Sequence, residues 1–143
     1  MQLVLDTNVY VSFLLTRGET ISRLLDAWEN EEFAVLVSPA LLAEIRRVLE
    51  YPHLKTRIKP EEAQALLDAL DADALLMEGT LSIARATTDP KDDMVVACAV
   101  EGKADYIISG DPHLIKLGRY AETRIVSPAE FVRLLDAVAK KAD

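Results

Sequence analysis

Five carboxylates lie beside segments that a buried sheet would use, and their chemistry suits them to bind hard cations. Asp6 ends an apolar run near the N-terminus, Asp111 follows a later apolar run, and Glu44, Asp92 and Asp93 lie near the starts of two helical segments. Carboxylate oxygens are preferred ligands of Mg²⁺ and Mn²⁺. Such ions can activate an attacking water and stabilise an in-line phosphoryl displacement. These residues therefore predict metal-dependent phosphoryl chemistry if the fold brings them together.

Several of these polar residues also have simpler structural explanations. Asp89 precedes a proline in the order of a helix N-cap, and Asp92, three residues later, would favour the helix dipole by itself. Asn8 and Asp111, each taken alone, are explained as caps of their own helices. Glu44 alone would be an ordinary helical glutamate. A shared site is therefore predicted from the set, and from no single member.

Asp6 is harder to explain as a structural residue. An aspartate that ends a buried strand, with no basic residue near it in sequence, loses hydration unless it is paired, hydrogen-bonded or bound to a metal. Asp92 and Asp93 point about 100° apart on a helix and cannot face one ion equally. Asp93 lies one position further from the cap, where help from the helix dipole fades, which favours a site role for it.

The elements that would position these residues are short apolar segments alternating with longer helical patterns. Strands are predicted at 3–5, 34–37, 106–108 and 124–126, whereas 75–77 is either a strand or a helix end. Helices are predicted at 9–15, 21–28, 41–49, 63–70, 90–102 and 128–139. This alternation predicts an α/β fold with a parallel sheet covered by helices on both faces. Ligands of such sheets bind beyond the carboxyl ends of the strands, where Asp6 and Asp111 lie.

Length and composition predict a single domain of residues 1–139 with a frayed tail at 140–143. No apolar run approaches the roughly 20 residues that span a bilayer, and the N-terminus lacks the features of a signal peptide. A cytoplasmic protein without membrane contact is therefore expected. Cys98 is predicted to be a buried, inert thiol. One cysteine and two histidines are too few for a structural zinc cage.

The net charge of −8 argues against a broad nucleic-acid surface, which normally needs a basic patch. That objection weakens if the acids bind cations, because the metal charge then reverses the local field. Tyr10 and Phe13 are predicted to be core residues and not base-stacking platforms. Cations near the acid-bearing segments are candidate phosphate contacts, although each is more simply a solvated charge; they are Arg17, Arg46, Arg47, Lys91, Lys116 and Arg119.

The order and spacing of five segments resemble the PIN domain family, and more narrowly its VapC-like toxins of toxin-antitoxin systems. The segments are Asp6-Thr7-Asn8, Ser38-Pro39 with Glu44, residues 89–93, residues 104–111 and residues 125–131. The resemblance covers essentially the whole chain. It implies a three-layer α/β/α sandwich with a central parallel sheet, and a ribonuclease that uses one or two Mg²⁺ or Mn²⁺ ions. It also implies a small antitoxin partner whose tail fills the acidic groove, and a homodimer.

The same resemblance assigns roles to individual residues. The catalytic acids would be Asp6, Glu44, Asp93 and Asp111, and all four would be metal ligands. Relatives differ over which position of the adjacent pair keeps aspartate, so Asp92 is retained as an alternative ligand. Polar neighbours that support the site or contact substrate are Thr7, Asn8 and Ser109.

Two other functions compete with a nuclease. The chain could be a catalytically weak PIN-fold protein that holds RNA or an antitoxin peptide in its acidic cleft. A receiver or phosphatase-type domain would need a second aspartate beside Asp6 and a lysine after a late strand. The segment Ser109-Gly110-Asp111 lacks that lysine, so this last reading is disfavoured.

Overall fold

The computed structural model describes residues 1–15, 18–79 and 90–142, with only the backbone of residues 90, 91, 141 and 142. Two residues of the sequence predictions, Arg17 and Asp89, lie outside the described residues. Within this part the strands form one six-stranded sheet in the order β3-β2-β1-β4-β6-β5. The strands are β1 (Gln2–Leu5), β2 (Ala34–Val37), β3 (Leu75–Leu76), β4 (Tyr106–Ile108), β5 (Arg119–Tyr120) and β6 (Thr123–Val126).

All strand pairs are parallel except the β5–β6 pair, which is antiparallel. The chain leaves β1 for β2 and β3 on one side and then returns to β4 and β6 on the other. The strand order thus reverses between β1 and β4, which makes their carboxyl ends a topological switch point, where open α/β sheets bind ligands.

The helices cover both faces of this sheet. They are α1 (Thr7–Leu15), α2 (Glu19–Glu29), α3 (Pro39–Leu49), α4 (Pro52–Lys55), α5 (Pro60–Asp73), α6 (Pro90–Glu101), α7 (Pro112–Leu117) and α8 (Pro128–Ala142). Ser38 caps α3, because its hydroxyl accepts the N–H of Leu41 at 3.2 Å and Pro39 follows it. The predicted α/β class, a three-layer sandwich around a mostly parallel sheet, is confirmed.

Alternating side chains along the strands build two apolar cores. Leu3 and Leu5 pack with α1, α2 and α8 on one face, whereas Val4 packs with α6 and α7 on the other. The predicted core positions of Tyr10 and Phe13 are confirmed, since their side chains are buried and their rings meet edge to face at 6.1 Å. Helices therefore pack on both faces of the sheet, and this packing sets the position of the strand ends.

The structure decides one ambiguous segment of the sequence prediction and differs from the prediction at two other places. The ambiguous segment at 75–77 is strand β3, which pairs with β2. The β5–β6 hairpin went unpredicted because its turn contains Ala121 at φ 51° and lacks the usual Asn-Gly signal. Asn8 does not cap its helix: α1 already begins at Thr7, and the N–H of Val9 donates to the Asp6 carbonyl at 2.9 Å.

The C-terminal boundary also differs. Helix α8 continues through Ala142, past the predicted end at 139, because neither glycine nor proline interrupts it there. The expectation of a frayed tail at residues 140–143 stays a prediction. The assignment of the chain to one domain stays a prediction.

Gly102 follows the end of α6, and close packing around it explains why a glycine is needed there. The positive φ of 52° belongs to the next residue, Lys103. A Cβ on Gly102 would meet Leu36 Cδ1 at 2.4 Å and Met77 Sδ at 2.9 Å. Leu36 is itself fully buried and has little space to move.

We expect Gly102→Ala to lower the free energy of unfolding by about 1–3 kcal/mol through overpacking against Leu36. Urea denaturation followed by circular dichroism measures this change. The matched control is Gly110→Ala, where the added Cβ meets no described atom within 4 Å. Equal losses in the two variants would contradict the steric explanation.

Candidate active site

Asp6 and Ser109 are joined across the ends of the two central strands. The register pairs Leu5 with Ile108, and the Asp6 N–H donates to the Ile108 carbonyl at 2.9 Å. One residue further, the Ser109 hydroxyl donates to Asp6 Oδ2 at 2.7 Å. Asp6 is 8% exposed and Ser109 is fully buried. The desolvated carboxylate is thus stabilised by a short charge-assisted hydrogen bond.

Asp111 extends the same network toward solvent. Its N–H donates to the Ser109 hydroxyl oxygen at 2.9 Å, so that one hydroxyl links both aspartates. The Asp111 carboxylate also caps α7, because Oδ1 accepts the N–H of His113 at 2.9 Å. Capping uses one carboxylate oxygen and leaves the other with further lone pairs. The structural and functional roles of Asp111 are therefore compatible.

The adjacent aspartates of α6 have different surroundings. Both lie in the first turn of the helix, which begins at the same sheet edge as Asp6. Asp92 is 6% exposed and lines a cleft with Asp6 and Asp111, whereas Asp93 is partly buried and is not among the described residues that line it. The 100° step between consecutive helical residues explains this difference. The geometry favours Asp92 over Asp93, the reverse of the order predicted from the sequence.

Glu44 reaches the cleft from α3 and is held by Arg47. The carboxylate accepts hydrogen bonds of 2.7, 2.8 and 3.1 Å from the guanidinium. The Glu44 side chain is 10% exposed and that of Arg47 is 51% exposed. These bonds raise the pKa of Arg47, which therefore stays charged. Arg47 is not itself among the residues that line the cleft, but it offsets the negative charge of Glu44, which is.

These residues surround one cleft of about 390 Å³. Six predicted site residues line it, namely Asp6, Thr7, Asn8, Glu44, Asp92 and Asp111, and Ser109 lies behind Asp6. Their carboxylate and amide oxygens have the donor chemistry that Mg²⁺ and Mn²⁺ select. In the described part of the chain, however, no three His, Cys, Asp or Glu side chains form a ready-made metal-binding group.

The opposite side of the cleft contains two residues that the sequence reasoning missed as site residues, Tyr51 and His53. A signal for Tyr51 was present. Glu44, Arg47 and Tyr51 follow the i, i+3, i+7 spacing that places side chains on one face of a helix. Tyr51 lies just past the end of α3, where its N–H still donates to the Val48 carbonyl at 3.0 Å.

The other cations that were predicted to contact phosphate either lie away from the cleft or fall outside the described residues. Arg46 pairs with Asp71 at 3.7 Å and lines a different groove, while Lys116 and Arg119 are exposed on α7 and β5. Arg17 and the side chain of Lys91 fall outside the described parts. Among the described members of the predicted set, Arg47 is the one whose partner lines the cleft.

The predicted burial of Cys98 is confirmed. Burial raises the pKa of its thiol to about 12, so the thiolate is scarce at neutral pH. Cys98 lies in the core formed by α6 and the sheet. Thiol chemistry therefore plays no part in the cleft.

The fold and the acid-lined switch point define a class of protein, and the family comparison agrees with it. The chain belongs to the PIN domain family, whose model matches residues 2–113. The resemblance found from the sequence is thereby confirmed at the level of the family. Within the described residues, no helix is long and apolar enough to cross a membrane.

Individual relatives extend the comparison. The chain is 26% identical to the uncharacterized protein MJ1680 of Methanocaldococcus jannaschii over 141 residues, covering 92% of this chain and 90% of that protein. Its fold is similar to VapBC2 of Rickettsia felis, solved bound to a promoter DNA fragment, with TM-score 0.59, 15% identity, and coverage of 89% and 98%. FitAcB of Neisseria gonorrhoeae gives TM-score 0.51, 18% identity and the same coverage. These two structures support the fold.

We expect Ser109→Ala to lower the free energy of unfolding by about 1–3 kcal/mol. The buried Asp6 carboxylate loses a donor and the Asp111 N–H loses its acceptor. Urea denaturation measures the effect. Ser12→Ala is the control, because the Ser12 hydroxyl makes an exposed bond to the Asn8 carbonyl and its loss should cost under ~0.5 kcal/mol. Similar losses in the two variants would contradict a special role for Ser109.

Proposed function

We propose that this PIN domain protein is a metal-dependent endoribonuclease and the toxin of a type II toxin-antitoxin pair. The observation that carries the proposal is the gathering of Asp6, Glu44, Asp92 and Asp111 around one cleft at the switch point of the sheet. Membership of the PIN domain family supports a nuclease. The fold similarity to VapBC2 and FitAcB supports the toxin role.

The cofactor would be Mg²⁺ or Mn²⁺, as one or two ions, held by Asp6, Asp92, Asp111 and Glu44. Bound there, the metal would lower the pKa of an attacking water and stabilise charge on the phosphate. The protein's own contribution is orientation. Ser109 fixes one oxygen of Asp6, and the helix cap fixes one oxygen of Asp111. Arg47 balances the charge of Glu44 and can contact a phosphate of the substrate.

We expect Asp6→Asn and Asp92→Asn each to reduce Mn²⁺-dependent cleavage of a single-stranded RNA at least ~100-fold, since both lose a ligand charge. Calorimetric titration with Mn²⁺ should show weaker binding in the same variants. Asp93→Asn should have a smaller effect, because Asp93 does not line the described cleft. The exposed Asp26 of α2 provides the matched control, Asp26→Asn.

Two outcomes would contradict parts of this proposal. Unmodified protein that binds no Mn²⁺ would rule out the metal-dependent mechanism. Inactivation by Asp93→Asn with an active Asp92→Asn variant would assign the third acid to Asp93, as the sequence first indicated.

Two observations favour a second function. The Glu44 carboxylate is already occupied by Arg47, and the described acids form no ready-made metal group. The chain could therefore be a catalytically weak PIN-fold protein that holds RNA or an antitoxin peptide. RNA binding without Mn²⁺-dependent cleavage by the unmodified protein would decide for this alternative.

A protein partner is also part of the proposal, and a second groove supports it. This groove of about 660 Å³ lies between α1, α2 and α5, with an apolar floor that includes Phe13, Leu25 and Trp28. The charged side chains that line its described part are all acidic, namely Glu29, Glu31, Glu32, Glu62 and Asp73, and Arg23 pairs with Glu32 at 2.9 Å. Charge complementarity favours a basic amphipathic helix of the antitoxin as its occupant. We also expect the protein to form a homodimer, and light scattering would measure its mass in solution.

We expect expression of the unmodified chain to arrest bacterial growth, and Asp6→Asn to abolish the arrest because cleavage needs the acid cluster. Co-expression of a short reading frame adjacent to the gene should restore growth. Growth curves after induction provide the measurement, with Asp26→Asn as the control that stays toxic. Normal growth with the unmodified chain would contradict the toxin role and leave the nuclease chemistry to be judged by the cleavage assay.

A further inference from the structure

The cleft has two chemically different walls. One wall carries the aspartates that follow β1, lie in the first turn of α6 and follow β4. The other comes from α3 and α4 and presents Glu44 together with Val48, Tyr51, His53 and Leu54; Arg47 is hydrogen-bonded to both Glu44 and Tyr51. The acids account for phosphate chemistry, but they give no reason for two rings and a guanidinium to lie beside them.

Arg47 and Tyr51 are fixed to each other before any ligand arrives. The Arg47 guanidinium donates to the Tyr51 hydroxyl at 2.8 Å while it also holds Glu44. Its Cζ lies 5.6 Å from the centre of the Tyr51 ring. The Tyr51 ring is partly buried and packs against the main apolar core. One edge of the ring is therefore anchored, which reduces the entropy lost when a ligand binds its remaining surface.

His53 continues the same surface. Its ring centre lies 5.9 Å from that of Tyr51, and the two planes are inclined by only 32°. Pro52 separates them and begins α4, which fixes the backbone between the two rings. The side chain of His53 is exposed, so it is accessible from the cleft. Two neighbouring rings tilted by 32°, with an adjacent cation, suit the flat bases and anionic backbone of a nucleotide strand.

We propose that Arg47, Tyr51 and His53 form a subsite for single-stranded RNA, in which an unpaired base stacks on Tyr51 and His53 and Arg47 contacts the neighbouring phosphate. This inference rests on the proposed nuclease function and adds the residues that would bind an unpaired base. A base inside a duplex has both faces covered by its neighbours and cannot stack on these rings. Stacking also needs no basic surface, which fits a chain of net charge −8.

The experiment measures binding of fluorescently labelled RNA by anisotropy, with full-length protein carrying Asp6→Asn so that the strand stays intact. In this parent protein we expect Tyr51→Leu to weaken binding of a single strand about tenfold or more. Tyr51→Phe, which keeps the ring but loses the Arg47 bond, should lose less, and His53→Ala should also weaken binding. The control is Tyr120→Leu, a tyrosine on the edge strand β5.

A second strand of abasic nucleotides separates stacking from a merely structural effect. The parent should bind the abasic strand about tenfold more weakly than the normal strand, and Tyr51→Leu should bind both equally. Urea denaturation of each variant identifies loss of folding. If Tyr51→Leu binds like Tyr120→Leu, or if the parent does not distinguish the two strands, the proposal is overturned.

Failure of the nuclease proposal gives different results. Intact stacking without Mn²⁺-dependent cleavage by the unmodified protein would overturn the enzyme and leave the subsite in a binding protein. A parent that binds no RNA would overturn both. If no strand binds but Tyr51→Leu weakens binding of the protein encoded beside the gene, the wall is a protein-docking surface, which also overturns the subsite.

Discussion

The arrangement of the cleft depends on a buried carboxylate that is held by the neighbouring strand. Asp6 is almost fully removed from water, and a lone buried charge would be strongly destabilising. The register of β1 and β4 places Ser109 beside it, and the 2.7 Å hydrogen bond partly replaces the lost hydration. The same hydroxyl then accepts from the Asp111 N–H. Strand register, and not any local sequence motif, thus sets the position of two of the acids.

Charge balance within the cleft explains how an acidic chain can keep several carboxylates close together. A different partner stabilises the negative charge of each carboxylate: a hydroxyl for Asp6, a helix N-terminus for Asp111, and a guanidinium for Glu44. These partners offset part of the repulsion between carboxylates that line the same cleft. A divalent ion would bring two further charges to a site that is already partly neutralised. The net charge of −8 is therefore a poor guide to the local field.

Sequence patterns predicted what depends on local periodicity, and failed where distant geometry decides. The spacing of apolar residues predicted strands β1, β2, β4 and β6 and the longer helices. The predicted strand ends also indicated Asp6 and Asp111 as site residues. The order of Asp92 and Asp93 was predicted from distance to the cap, but the rotation of α6 against the sheet determines which one lines the cleft. Tyr51 was missed because α3 ends before it. Its position on the same face as Glu44 depends on the turn after α3, in which the Tyr51 N–H donates to the Val48 carbonyl.

In the proposed nuclease, the α3–α4 junction would link the chemistry of the acids to substrate recognition through a single side chain, that of Arg47. Arg47 bonds to Glu44 on one side and to Tyr51 on the other, so anything that draws Glu44 away also changes what holds Tyr51. The guanidinium has five donors in a fixed plane, and a phosphate can compete with Glu44 for the same donors. In the proposed nuclease, substrate binding and release of Glu44 would be coupled, because a phosphate bound to Arg47 would free carboxylate oxygens in the cleft. Such coupling would make the acid cluster complete only when a strand lies against the wall.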